Sequence, residues 1–271
     1  MAEIKVKGIV LGGINYKEKD KLLHIFTLEK GLITCKLVGV LSANAKLKSV
    51  KEPFCFAEFN LNFKPSEKEN IIYTVTSANV IESFYSIVAD IEKFYAGCAI
   101  LEIIKKVAPV EMANEPLFIE SLKALKCIAF EDIDPEIVLA KFLISIFEAM
   151  GYALSLDKCA ICGDNFVGKR YFNLDSGEIV CFSCRSFNWQ EISNLTHACL
   201  RLIAQTDYEN LHNLKLKKEG IENALDLLKS NFENRFETSL SSIEKFPKQW
   251  CWRDELFVNR LKIVQFVKQA L

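Results

Sequence analysis

The sequence predicts an α+β chain of several domains: a small five-stranded barrel, then a helical domain interrupted by a cysteine-rich insertion. Three observations carry this. Apolar and polar residues alternate from Ile4 to Ile81, in short runs broken by turn residues. After Ser83 the apolar period changes from 2 to 3.6. Two Cys-x-x-Cys pairs, Cys159/Cys162 and Cys181/Cys184, stand 18 residues apart.

The first strand is expected from Ile4 to Leu11, punctuated by Gly12-Gly13 and Asn15. The second covers Lys21 to Leu28 and stops at Lys30-Gly31, and the third covers Leu32 to Val40. A polar, basic loop follows from Ser42 to Lys51, before Pro53. Phe54, Phe56, Phe59, Leu61 and Phe63 make an aromatic-rich fourth strand, and Ile71 to Ile81 a β-branched fifth. Five short strands without helical period between them suit a closed Greek-key barrel of the OB-fold type, with an SH3-like barrel as the alternative.

Beyond the barrel, Ile87 to Val107 repeats at helical spacing and Pro109 stops it. Pro116 opens a second helix that carries Leu117, Leu125 and Ile128. Asp134-Pro135-Glu136 has the form of a helix start with proline in the first turn. The helix it opens is apolar around most of its circumference up to Gly151, so it should be central and buried. Ser193-Asn194 caps another helix through His197, Leu200, Leu202 and Ile203, and Gly220 precedes a further one. Expected boundaries are 1–82 for the barrel, 83–156 and 188–246 for the two parts of the helical domain, 157–187 for the insertion, and 247–271 for a C-terminal helical extension with Trp250 and Trp252.

Four of the ten cysteines fall within 26 residues. The spacing is that of four thiolates closing on one zinc ion, so Cys159, Cys162, Cys181 and Cys184 are the candidate ligands. Two disulfides, or two unrelated core pairs, are the other readings. A four-sulfur set leaves no open coordination position, so its zinc would be structural. Cys35, Cys98, Cys127 and Cys199 lie in apolar patterns and read as small core residues. The N-terminus lacks a signal-peptide pattern and no apolar run is long enough for a membrane span, which points to the cytoplasm and away from a membrane.

The net charge is −1, but it is unevenly distributed. Residues 1–64 carry 11 Lys against 6 Asp or Glu, while the remainder carries 23 basic against 29 acidic residues. Such asymmetry suits a polyanion partner for the barrel, with an ordinary solvated lysine face as the other reading. Lys5, Lys7, Lys36, Lys46, Lys48, Lys51 and Lys64 are candidate nucleic-acid phosphate contacts, with the loop lysines Lys46, Lys48 and Lys51 foremost because a flexible loop can follow a backbone. Phe54, Phe56 and Phe63 read as core. No phosphate-cradling glycine loop, HExxH or Gly-x-Ser-x-Gly occurs, and His24, His197 and His212 are far apart, so nothing argues for an enzyme.

Several stretches together resemble the bacterial RecO family. They are Tyr16-x-Glu18-x-Asp20-x-Leu22 through Phe26-Thr27 to Gly31, Gly151-Tyr152 through Cys159-Ala-Ile-Cys162-Gly163, and Val180-Cys181-Phe-Ser-Cys184 after Phe172 and Gly177. The resemblance implies an OB-fold, a helical domain with a four-cysteine zinc element, and a non-enzymatic activity. That activity is binding of single- and double-stranded DNA and annealing of complementary strands. With the partner RecR, such proteins help load RecA onto strands covered by single-strand binding protein, whose C-terminal tail is an expected contact. A protein adaptor with weak direct DNA binding is the alternative. Where the family has Gly-Ala-Arg, this chain reads Gly39-Val40-Leu41-Ser42, and basic charge resumes only at Lys46.

Overall fold

The computed structural model describes residues 2–63 and 71–244; Lys64 and the expected extension 247–271, with Trp250 and Trp252, lie outside them. Two compact units result. The barrel unit takes in the described residues up to Tyr85 together with Ala108–Asn114, and the helical unit takes in Ser86–Val107 and the described residues from Glu115 onward. No helix among the described residues is long and apolar enough to cross a membrane.

The barrel consists of β1 (Ala2–Tyr16), β2 (Asp20–Thr27), β3 (Gly31–Leu37), β4 (Cys55–Phe63) and β5 (Ile72–Ser83). Their order is β1-β2-β3-β5-β4, closed back onto β1. Closure depends on the length of β1. Its first half pairs with β4, from Ala2 opposite Phe63 to Ile9 opposite Phe56. Its second half pairs with β2, from Gly8 opposite Thr27 to Tyr16 opposite Asp20. The β3–β5 pair is parallel and the others antiparallel, as a five-stranded Greek-key barrel requires.

Here the structure departs from the sequence reading. Gly12-Gly13 does not end the first strand, which runs on to Tyr16. The pairing slips between Val10 and Gly12 instead, a bulge that bends the strand from one neighbour to the other. A Cβ at Gly13 would stand 2.2 Å from the Leu22 carbonyl oxygen, so glycine permits this close approach. Inside the barrel, Val10, Leu23, Ile25, Ile33, Phe59 and Tyr73 are among the buried core. Phe54 and Phe56 are buried as expected, and Phe63 is partly so.

One element was not visible in the sequence. The 108–114 segment, between the helix that Pro109 stops and the one that Pro116 opens, docks on the barrel. Leu32 N–H donates to Pro109 O at 2.9 Å, Glu111 N–H donates to Leu32 O at 3.1 Å, and the Tyr73 hydroxyl donates to Glu111 Oε2 at 2.6 Å.

In the helical unit, α1 (Ile91–Val107), α2 (Glu115–Phe130), α3 (Pro135–Ala149), α4 (Asn194–Gln205), α5 (Lys218–Arg235) and the short α6 (Ser241–Glu244) pack together. The first begins four residues later than its apolar period suggests, because Tyr85–Ala89 forms a 3₁₀ turn. Asp134 caps α3 by accepting from Glu136 N–H at 2.9 Å, with Pro135 in the first turn. As expected, α3 is central: it packs on α1, α2, α4 and α5. Gly151 ends it with φ +80, a left-handed terminus that suits glycine. Gly220 lies inside the first turn of α5 rather than before it, where a Cβ would meet Cys199 Sγ at 2.6 Å. Leu202, expected on the buried face of α4, is exposed.

The docked segment makes Gly31 a sensitive position. Its φ is +66, and a Cβ would lie 2.1 Å from Met112 O. Gly39 has the same φ but open space around it. Gly31→Ala should therefore cost roughly 2–4 kcal/mol in urea unfolding and Gly39→Ala about 1 kcal/mol. Equal losses would contradict the close approach of residues 108–114.

Candidate metal centre and nucleic-acid face

The insertion between α3 and α4 folds as a three-stranded antiparallel sheet of β6 (Arg170–Phe172), β7 (Ile179–Cys181) and β8 (Gln190–Ile192), in the order β7-β6-β8. Each cysteine pair occupies a tight turn beside it. Gly163 N–H donates to Cys159 O at 2.9 Å, and Gly163 takes φ +76, which closes the first turn. The second pair spans the end of β7 and a 3₁₀ turn, Phe182–Cys184. Ala160 N–H donates to Ile179 O at 3.0 Å and so ties the first turn to β7.

This brings Cys159, Cys162, Cys181 and Cys184 together, with their sulfurs all within 4.8 Å of one another. The Cys162–Cys181 sulfur separation is 3.9 Å. A tetrahedron with metal–sulfur bonds near 2.3 Å has edges of about 3.8 Å, so the donor set fits one thiolate-bound metal ion. It does not fit two disulfides, whose sulfurs would be bonded at about 2 Å. Burial pushes the Cys159 thiol up, but backbone N–H groups of Cys162, Cys181 and Ile161 outweigh it and bring it down to about 6. Thus a buried sulfur is already biased toward the thiolate that a metal requires.

Neighbouring groups hold the insertion to the helices. His197, buried on α4, bonds the Leu156 carbonyl through Nε2 at 2.8 Å, and its ring meets Phe166 edge-on. It supports the chain leading to Cys159 and is not drawn into the sulfur cluster. Arg201 bonds Asp157 at 2.8 Å, Asn231 on α5 donates to Leu174 O at 2.8 Å, and Arg235 donates to Ser176 O.

The candidate lysines divide into two groups. Lys5 and Lys7 lie on the half of β1 that pairs with β4, opposite Asn60 and Glu58. Lys5 is ion-paired with Glu58 at 2.8 Å. Lys36, Lys46, Lys48 and Lys51 belong to the end of the barrel near Asp20. Lys36 pairs with Asp20 at 2.9 Å. The Gly39 N–H and Lys36 together hold the Asp20 carboxyl below its usual range.

The loop from Ser42 to Lys51, expected to be flexible, packs against the barrel. Val40 and Val50 are fully buried, and Leu41, Ala45 and Leu47 pack on the barrel core. Leu41 N–H donates to Lys19 O at 3.0 Å, and Lys48 donates to Ala43 O. Lys51 pairs with Glu52 at 3.3 Å. Lys46 and Lys7 are exposed, and neither side chain makes an ion pair among the described residues.

Sequence reasoning missed the residue that anchors this loop. Lys21 is 4% exposed, and its ammonium donates to Lys51 O at 3.0 Å and faces Glu52 at 3.7 Å. Burial lowers its pKa, partly offset by Glu52. The signal was strand parity: Lys21 shares the inward phase of Leu23 and Ile25. On the outward phase, Ile14, Leu22, Lys36 and Thr74 form one row across β1, β2, β3 and β5. Tyr16 stands exposed beside it, with the Lys17 and Lys36 ammonium groups 5.6 and 5.5 Å from its ring centre. This end of the barrel combines lysines with an exposed aromatic ring, the pairing used to grip phosphates and stack bases.

Comparisons with known proteins agree with this architecture. Residues 1–84 match the family model described as recombination protein O N terminal, and residues 88–243 match recombination protein O C terminal. The chain is 26% identical over 242 residues to the DNA repair protein RecO of Clostridium novyi (strain NT), covering 89% of this chain and 93% of that protein. It is 29% identical over 235 residues to the RecO of Caldicellulosiruptor saccharolyticus, covering 86% and 92%. It is 28% identical over 260 residues to that of Dehalococcoides mccartyi (strain ATCC BAA-2266), covering 94% and 96%. The chain belongs to the RecO family, whose members are non-enzymatic recombination mediators of DNA repair.

Proposed function

We propose that this chain binds single- and double-stranded DNA at the Asp20 end of its barrel and anneals complementary strands. The observation that carries the reading is the exposed Tyr16 ring with the Lys17 and Lys36 ammonium groups beside it, at the end of the barrel where Lys21 anchors the loop that carries Lys46, Lys48 and Lys51. Lysines at this end neutralise phosphates, so two strands held there repel each other less and can pair. Exposed Tyr16 and Ile14 give unpaired bases a surface to rest on. Lys21 acts through position, by fixing the loop that carries the other lysines. Residues 1–82 then form the nucleic-acid domain, and the helical domain (83–156 and 188–246) carries protein contacts. The partners proposed from family membership are RecR, the C-terminal tail of single-strand binding protein and, indirectly, RecA on coated strands in the bacterial cytoplasm.

Zinc is the metal proposed for the module at 157–187, held by Cys159, Cys162, Cys181 and Cys184. Its role would be to hold the two turns together, since four sulfur donors leave no place for substrate or water.

One observation favours the adaptor reading instead. Lys5, Lys36 and Lys51 are already ion-paired within the chain, which reduces the charge they offer to phosphates.

Changing Lys46, Lys48 and Lys51 together to Glu should weaken binding of a single-stranded oligonucleotide more than tenfold and slow annealing to match. The slope of log affinity against log salt should fall by about 2, at roughly 0.7 per lost phosphate contact. Lys5→Glu with Lys7→Glu should have the smaller effect. Unchanged binding and slope in the triple variant would remove these lysines from the interface and favour the adaptor.

Metal analysis should give one zinc per chain. Cys162→Ser with Cys184→Ser should remove it and lower the melting temperature of the helical unit by roughly 10 °C, a loss of a few kcal/mol for a unit of this size. DNA affinity should change less than threefold. Lost DNA binding at wild-type thermal stability would show that the module contacts DNA.

A further inference from the structure

The two units differ in charge. Within the described residues the helical unit has 16 Lys or Arg against 23 Asp or Glu, while the barrel unit has 10 against 8. An acidic surface repels nucleic acid and attracts cations. The helical unit contains an open pocket of about 480 Å³ where the turn after β6, the segment after the second cysteine pair and the end of α5 meet. That volume falls in the range of small-ligand sites.

Its lining is chemically selective. Trp189 forms a wall: its side chain packs on the core around Cys159, Tyr171 and Val180, and its backbone N–H donates to Ser186 O. Phe187 stands fully exposed at the rim, at 101%. Asp175 supplies a carboxylate, while Asn188 and Asn234 supply amide oxygens. Asn173 uses its own oxygen within the turn, accepting from Asp175 N–H at 3.0 Å. No cation lines the pocket among the described residues. The two nearest in sequence are engaged elsewhere: the Arg185 guanidinium lies 4.0 Å from the Phe182 ring centre, and Arg235 bonds Ser176 O over the Tyr152 ring.

A carboxylate without a cation rejects phosphate, and the amides disfavour a purely apolar guest. Two aromatic rings, one carboxylate and spare amide oxygens match a planar cation with several N–H donors. We propose that this pocket docks an arginine side chain on a basic segment of a partner protein. The proposal is independent of DNA binding by the barrel. It also gives the cysteine module a purpose beyond its own stability, because the module fixes Trp189. A lysine fits less well, being a point charge without a plane to stack.

The test uses the full chain and a fluorescein-labelled Gly-Arg-Gly-Arg-Gly peptide, followed by anisotropy at low salt. The control peptide carries citrulline, which keeps the shape of arginine without its charge. The arginine peptide should bind at least tenfold tighter. Asp175→Asn and Phe187→Ala should each weaken it about tenfold, while Asn234→Asp, which adds a second carboxylate, should strengthen it. All three positions are at the surface, so melting temperatures should stay at the wild-type value. Asp132→Asn, an exposed acid between α2 and α3, should leave affinity unchanged. Equal binding of the two peptides, or a loss at Asp132 as large as at Asp175, would overturn the proposal. So would displacement of the peptide by a short oligothymidine whose own binding is lost in Phe187→Ala, an outcome that assigns the pocket to nucleobases.

Discussion

Four cysteine sulfurs confined within 4.8 Å cannot all ionise without a cation, because like charges at that separation repel strongly. Around the sulfurs the module's own cluster is small, Cys159, Tyr171 and Val180 with Phe166 and Trp189 packed against it, while Phe172, Ile179 and Ile192 of the same strands are buried as well. A core of that size does not fold a three-stranded sheet of three-residue strands on its own. The sulfur cluster joins the two turns of the segment between α3 and α4, and a metal ion there would add the cross-link that so small a sheet needs. α4 and α5 are tied to that segment, since His197, Arg201, Asn231 and Arg235 all bond to its backbone or side chains.

The barrel is organised by a different constraint. One strand of 15 residues must serve two neighbours, and a bulge at Val10–Gly12 lets it do so. Closure places outward side chains of four strands in register and leaves Lys21 inside, where only the Lys51 carbonyl and Glu52 can satisfy it. The basic loop is consequently held against the barrel. Positive charge is collected on one unit and negative charge on the other, a separation that suits one chain addressing nucleic acid and protein through different surfaces.

Much of this was legible in the residues. Cys-x-x-Cys spacing located the cluster because metal geometry acts over short, fixed intervals. The Asp134-Pro135-Glu136 start and the all-round apolar helix after it were equally local signals. What the sequence did not show was non-local. Gly12-Gly13 looks like a turn, since a bulge is defined by its partner strand. Residues 108–114 look like a link, because their hydrogen bonds go to Leu32, more than 70 positions earlier in the chain. Leu202 was placed inward by helical period alone, and the packing around α4 leaves it exposed. Lys21 was the one miss with a usable signal, the two-residue parity of its strand.

The central claim is that a metal ion on the four cysteines folds the module while the barrel stands without it. Hydrogen exchange on the intact chain, before and after chelation, tests this directly. Residues 157–192 should lose protection on chelation, the start of α4 around His197 should lose part of its own, and β1 to β5 should exchange as before. A module that keeps its protection without metal, or barrel strands that open along with it, would contradict the account.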